Sequence, residues 1–399
     1  MSKVTAKRLG DLINFKRGYD LPENQRLPGA YPVISSAGIS GYHNEYKVEG
    51  EGVVTGRYGT LGEMHFINGK YWPHNTALYV TTFKGNNPKY IYYLLSCLGR
   101  IRTSDKSAVP GVNRNELHEM AVPVIEDKAQ QKKIATVLSA LDAKIDCNNR
   151  INAELTAMAK TLYDYWFVQF DFPFDFASGK PAQNGTPYKS SGGKMVYNPT
   201  LKREIPAGWN AGMASDLFDF NPPLILPKNT EASYVGMNSL PLTGFMTNPP
   251  ERKLFSGGMK FQNDDVVVAR ITPCLENGKT ALISLLEDGE VGFGSTEFIV
   301  LRGKNYSLSA FASQLSRSAS FRQFAISNMT GTSGRKRIDA STLETFSLPL
   351  PPEELLLKYE ETASSFYKRM TNNTKENHYL TQLRDWLLPM LMNGQVTVK

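Results

Sequence analysis

Side chains suited to reading nucleic acid sit on glycine-rich stretches of this sequence. Base edges are read by Arg, Lys, Asn, Gln, Ser and Thr, while Lys, Arg and backbone amides hold phosphates. In the first third these stretches are Lys16-Arg17-Gly18-Tyr19, Ser35-Ser36-Ala37-Gly38, Arg57-Tyr58-Gly59 and His74-Asn75. Later in the chain they are Arg270-Ile271-Thr272, Glu276-Asn277-Gly278-Lys279 and Gly331-Thr332-Ser333-Gly334-Arg335-Lys336-Arg337, the last being the most basic. Arg57 and Arg270 stand out because each follows a valine-rich strand at an equivalent place. The plain alternative for any one of these residues is a solvated turn, or an Arg paired with a carboxylate inside its own domain. Lys106, Arg114 and Lys132-Lys133 are further phosphate candidates, although charge on a helix face is ordinarily just solvated.

Catalytic patterns fail on inspection. Asn221-Pro222-Pro223-Leu224 approaches the Asn-Pro-Pro-aromatic loop that holds a flipped adenine, but Leu224 cannot stack on a base, and no glycine-rich turn for S-adenosylmethionine follows an upstream strand. Pro273 to Thr280 ends in Gly-Lys-Thr like a phosphate-binding loop, yet Pro273 stands where a Gly and its amide are required. His43, His65, His74, His118 and His378 show no metal-ligand spacing, so no metal site is expected. Glu126 and Lys128 form a bare E-x-K at a helix entry, most simply a capping charge. An adenine-N6 methyltransferase or fused restriction-modification enzyme thus stands as a rival reading, and a protein-interaction scaffold as a second.

Length and charge frame these residues. A chain of 399 residues accommodates two to four domains, and 45 Lys and Arg against 38 Asp and Glu permit a polyanionic partner without proving one. Cys97, Cys147 and Cys274 lie too far apart for a disulfide or zinc framework, and no apolar run reaches the length of a membrane span, so a cytoplasmic protein is expected.

The chain repeats itself. Asp11-Leu12 matches Asp216-Leu217, Gly52-Val53-Val54-Thr55-Gly56-Arg57 matches Asp265-Val266-Val267-Val268-Ala269-Arg270, Asn75-Thr76-Ala77 matches Ser295-Thr296-Glu297, and Ala121-Val122-Pro123-Val124 matches Leu348-Pro349-Leu350. The offset climbs from 205 to 226 between short matching elements, as loop insertions in two copies of one β-rich fold would produce.

Each copy leads into a long helix with apolar residues at alternating three- and four-residue spacing. The first seam is Ile134, Leu138, Leu141, Ile145, Asn148, Asn152, Leu155, Ala159, Leu162 and Trp166. Adding 225 gives Tyr359, Ala363, Phe366, Met370, Asn373, Asn377, Leu380, Arg384, Leu387 and Leu391. This is a coiled-coil spacing with a polar pair that fixes register. If the helices run antiparallel, partners have numbers adding to 525: Asn148 faces Asn377, Asn152 faces Asn373, and Phe366 and Leu162 meet the small Ala159 and Ala363. Leu141 opposite Arg384 is a misfit, and Pro389 is expected to end the second helix before Leu391. A parallel pair would also match asparagine with asparagine, so volumes favour antiparallel. Ser178 to Pro206, rich in Gly, Pro, Ser, Asn and Lys, reads as a connector without a core, with Trp209 anchoring the start of the second copy.

These residues resemble the DNA specificity subunit of type I restriction-modification systems. The resemblance runs through Tyr163-Asp164-Tyr165-Trp166-Phe167-Val168-Gln169-Phe170-Asp171-Phe172-Pro173, the Leu201 to Trp209 entry, Leu348-Pro349-Leu350-Pro351, Gly69-Lys70-Tyr71-Trp72 and Thr272 to Lys279, in order across both repeats. It implies an α+β chain with target-recognition domains at residues 1–125 and 207–350, long helices at 126–170 and 351–393, and a linker at 171–206. Each domain would read one half of an asymmetric bipartite site on double-stranded DNA. The helices would set the spacer and bind two methyltransferase subunits, and restriction/translocase subunits would complete the enzyme. The resemblance implies a non-catalytic chain without a cofactor of its own, and S-adenosylmethionine, ATP and Mg would belong to the partners. Gln130-Gln131 stands where the family often has Glu-Gln, and the second helix has Glu353-Glu354-Leu355, so the two helix entries are not expected to contact the methyltransferase identically. A helix of about 40 residues is roughly 60 Å long, against about 34 to 36 Å for one turn of B-DNA.

Overall fold

A computed structural model describes residues 4–57, 63–98, 113–182, 184–332 and 334–399. Tyr58, Lys106 and Ser333 lie outside the described residues. The fold is α+β and divides into two compact units: residues 1–145 with 379–399, and residues 146–378. Portions of both long helices fall in each unit.

The first unit opens with strand Val4–Arg8, antiparallel to Ala121–Ile125. Val122 and Val124 are buried there while Ala121 and Pro123 face outward, the alternation of a half-buried strand. Between them lies a six-stranded sheet in the order Asn14–Arg17, Ala77–Thr82, Val48–Gly56, Met64–Pro73, Tyr31–Ser35, Gly38–His43. Its central strands are buried on both faces: Val53, Leu78 and Val80 point into one cluster, and Val54, Ala77 and Tyr79 into another. The first cluster also takes Ile134, Ala135 and Leu138 from the first long helix and Leu391 and Met392 from the second.

Gln131 joins this domain to the first long helix. It is fully buried; its Nε2 donates to Asn86 Oδ1 (2.9 Å) and to the Ile125 carbonyl (2.8 Å), and its Oε1 accepts the Asn87 amide (3.0 Å). Asn87 caps helix Pro88–Cys97, so the glutamine grips the start of that helix. A residue so fully engaged within its unit is not an outward contact.

The second unit repeats the plan. Asn210–Met213 pairs with Ser347–Leu350 as Val4–Arg8 pairs with Ala121–Ile125. One four-stranded sheet has the order Phe218–Phe220, Phe298–Gly303, Val266–Ala269, Thr280–Leu282; another runs Glu251–Leu254, Glu231–Val235, Gly292–Gly294, Met259–Phe261. Val266 and Val268 enter one core and Val267 another, so the valine run serves two faces. Here Glu360 of the second long helix does the work of Gln131. Its carboxylate accepts the amides of Phe311 (2.7 Å) and Ala310 (3.2 Å) at the start of helix Ser309–Arg317.

The connector departs from expectation. Pro173–Asp175 lies between Lys180–Pro181 and Thr186–Pro187, and Met195–Asn198 pairs with Arg203–Pro206. Phe172 stacks on Tyr188 (4.8 Å between centroids) and on Trp209 (5.4 Å), and all three are buried in the largest core. Few apolar residues suffice because most are aromatic and adjoin that core.

The long helices span Lys128–Tyr163, followed by a π-helical turn Asp164–Val168, and Glu353–Met392. Within the second unit Asn148 donates to Asn377 (2.9 Å), Asn373 donates to Asn152 (2.9 Å), and Trp166 lies on Tyr359 (5.7 Å between centroids), so residues whose numbers add to 525 meet in an antiparallel pair. Ala159 and Ala363 are buried there with Leu155, Leu162, Phe366 and Met370 around them. Within the first unit Ile134 and Leu138 share a cluster with Leu387 and Leu391, while Ile145 and Leu380 are half-buried.

Three expectations about the helix ends need correction. Pro389 does not stop the second helix: it sits on an exposed face, and burial of Leu391 and Met392 holds the last turn. Arg384 avoids the apolar seam by reaching Asp142 (2.9 Å), which also accepts Tyr93 Oη (2.5 Å). The cap of the first helix is Asp127, whose Oδ1 accepts the Ala129 amide (2.8 Å), while Glu126 instead binds Lys7 and Thr5 (2.7 Å each).

Candidate nucleic-acid interface

In the first unit, stretches far apart in sequence meet at one end of the six-stranded sheet. Lys16 and Arg17 close the edge strand, whose Arg17 pairs with Leu78. Gly18 follows, its amide on the Ala77 carbonyl (3.1 Å), and a Cβ there would fall 2.1 Å from the His74 carbonyl oxygen. Only glycine permits this approach, which brings Tyr19 into a bridge with His74. Arg17 Nε donates to the Asn75 carbonyl (3.3 Å), and the Asn75 amide donates to Asp20. Lys16 lies 5.2 Å from the Tyr19 ring centre. The His74 amide donates to Ile34 (2.8 Å), which brings Ser35 and Ser36 alongside. Burial, with Arg26 nearby, lowers the His74 imidazole and so favours its neutral form. The Arg57 amide donates to the Thr76 carbonyl (2.9 Å), holding the base of that side chain at the same end.

The second unit builds its counterpart by the same backbone bond: the Arg270 amide donates to the Glu297 carbonyl (2.9 Å). Gly56 pairs with Ala77 as Ala269 pairs with Phe298, so Thr76 corresponds to Glu297. The sequence match of Ala77 to Glu297 is one residue out of register. Around Arg270 the chain returns at residues 330–332 and 334–338, where Arg337 bridges both Thr330 and Ile271, and Thr272 and Lys336 exchange bonds of 3.0 and 3.2 Å.

Acidic partners mark this second end. Arg270 reaches Asp339 (2.5 Å), and Arg337 places Nε and Nη2 on Glu297 at 2.7 to 2.9 Å. Those bonds hold the Glu297 carboxyl below its ordinary range against some burial, with the charges of Arg337 and Arg270 assisting. Arg335 and Lys336 are exposed, as is Asn277. Lys279 turns inward to the Met237 carbonyl (2.8 Å), which removes its ammonium from the exposed set. Arg322, which its sequence context did not single out, joins this end by donating to the Glu276 carbonyl (2.5 Å). Among the described residues no group of His, Cys, Asp or Glu could hold a metal ion, and no helix is long and apolar enough to cross a membrane.

Comparison with known proteins bears on this arrangement. Residues 1–157 match the family described as the type I restriction modification DNA specificity domain. The type I restriction enzyme MjaIX specificity subunit of Methanocaldococcus jannaschii is 23% identical over 326 residues, 78% of this chain and 69% of that protein. The chain is thus similar to the type I restriction-modification specificity subunits. The EcoEI specificity subunit of Escherichia coli is 31% identical over 155 residues, covering 37% of this chain but only 26% of that protein. The crystal structure of the S subunit of a type I system from M. genitalium has the same fold, with a TM-score of 0.61 at 16% identity across 98% of this chain and 96% of that one. These relatives are the specificity subunits of type I restriction enzymes, and the matching family is named for DNA specificity.

Proposed function

We propose that this chain is the specificity subunit of a type I restriction-modification system and reads an asymmetric, split sequence in double-stranded DNA. Residues 1–125 and 207–350 act as its two target-recognition domains, each taking one half. The observation that carries the reading is the pair of equivalent strand ends, where Arg57 and Arg270 leave valine-rich strands through the same backbone bond. Lys16, Arg17, Ser35, Ser36, His74 and Asn75 gather beside the first, and Thr272, Arg335, Lys336 and Arg337 beside the second. Their neighbours differ, so the half-sites differ.

The antiparallel helices carry the domains and set the unread spacer, with the asparagine layers fixing the register. Two methyltransferase subunits dock on the helices, and restriction/translocase subunits join that core in the cytoplasm. S-adenosylmethionine, ATP and Mg are bound by those partners.

Replacing Asp11 to Pro123 with the matching segment of another family member, in cells that also make the methyltransferase, tests the reading. Mapping of methylated adenines is expected to show one half of the motif changed and the other kept. Changes in both halves, or in neither, would contradict it. Filter binding of the complex across a salt series supplies a second check, since phosphate contacts make affinity fall steeply with salt and a protein scaffold would not.

A further inference from the structure

We propose that Arg337 reads a guanine and that Glu297 is the positioning residue that aims it, so the half-site taken by residues 207–350 contains a G·C pair contacted by this arginine. This rests on the DNA-reading function above and adds which base one residue takes.

The backbone of Arg337 is pinned. Its amide and carbonyl exchange two bonds of 2.8 Å with Thr330, and the next amide donates to the Arg270 carbonyl (3.0 Å). The side chain is fixed as well. Glu297 accepts from Nε and Nη2, one edge of the planar guanidinium. An arginine carries five N–H groups in a rigid fork. With that edge taken, Nη1 and the outer hydrogen of Nη2 remain, and Nη1 has no partner among the described residues. Two parallel donors at the tip of a held guanidinium match the O6 and N7 acceptors of guanine in the major groove.

The neighbours argue against an ordinary phosphate clamp. Arg337 and Glu297 together carry no net charge, and the carboxylate repels a phosphate while leaving the tip free for an uncharged base edge. Arg335 and Lys336, exposed and without side-chain partners among the described residues, suit phosphates better. Arg270, by contrast, reaches Asp339 with Nη2. A guanidinium already immobilised also loses less rotamer freedom on binding than a free one.

The test uses the full chain with its methyltransferase, comparing wild type with Arg337→Ala, Arg337→Lys and Glu297→Gln. Methylated motifs are mapped in cells, and melting of each purified complex is recorded. The wild-type half-site assigned to residues 207–350 is expected to hold a G·C pair. Arg337→Ala should relax that position alone, with discrimination falling about ten-fold or more. Arg337→Lys should keep part of the preference, and Glu297→Gln should weaken it at the same position. Where Arg337→Ala melts early, the Lys and Gln variants decide. An unchanged motif with full methylation would overturn the proposal. So would a uniform loss at all sites with base preference kept, because a phosphate contact or purely structural role predicts that pattern. A wild-type complex with no split motif would instead sink the DNA-reading function itself.

Discussion

Gln131 and Glu360 perform one task in two chemistries. Each extends from a long helix to the first turn of a domain helix and satisfies amides that the helix leaves unpaired. Gln131 does so as a neutral amide that both donates and accepts, tying Asn86, Asn87 and Ile125 into one buried network. Glu360 can only accept when ionised, and its negative charge suits a helix N-terminus but must be held away from water. Burial pushes its carboxyl up to about 7, against the pull of the Phe311 and Ala310 amides, and Asp264 adds to the push. The first domain should therefore be fastened independently of pH at this point, and the second should not.

The largest effect is expected from Gln131→Ala, which strands the Asn87 amide and the Ile125 carbonyl in the core. Urea unfolding followed by circular dichroism should show the first unit losing about 3 kcal/mol. A loss below about 1 kcal/mol would mean the network is not what fastens that domain.

The pH response comes next. The folded value of Glu360 lies above its ordinary 4.5, so its contribution to stability is full below about 4.5 and declines as pH rises to about 7. The decline amounts to at most about 3 kcal/mol. Glu360→Gln should flatten the slope of the second unit's stability over that window, and Gln131→Glu should create such a slope in the first. Parallel slopes in wild type and Glu360→Gln would remove the contrast.

A smaller effect is expected from Arg384→Met. It gives up a half-buried ion pair but restores an apolar seam, and Asp142 keeps its bond from Tyr93. Thermal melting should register a loss of about 1 kcal/mol or less.

The same two regions show what the sequence discloses. The helix pairing was legible down to single residues because a heptad spacing with two asparagines admits few registers, and amides seek amides. Sheet register was read one residue out because Val266–Ala269 and Phe298–Leu301 are buried on both faces, leaving no polar alternation to fix their phase. The connector looked coreless because Ser178 to Pro206 has few apolar residues of its own; its Tyr188 and Ile205 are buried only by joining the largest core with Phe172 and Trp209 from either side of it. The cationic loops of the candidate interface were readable as loops. Their acidic partners were not: Asp339 and Glu297 lie 69 and 40 residues from Arg270 and Arg337, and only the fold joins them.

The paired helices as the measure of the target's gap can be tested by adding four residues to each, between Ile145 and Leu155 and between Met370 and Leu380, and mapping the methylated motif. The rod lengthens by about 6 Å, so both half-sites should keep their bases while the spacer grows by about one or two base pairs. Full methylation at the original spacer would contradict the account.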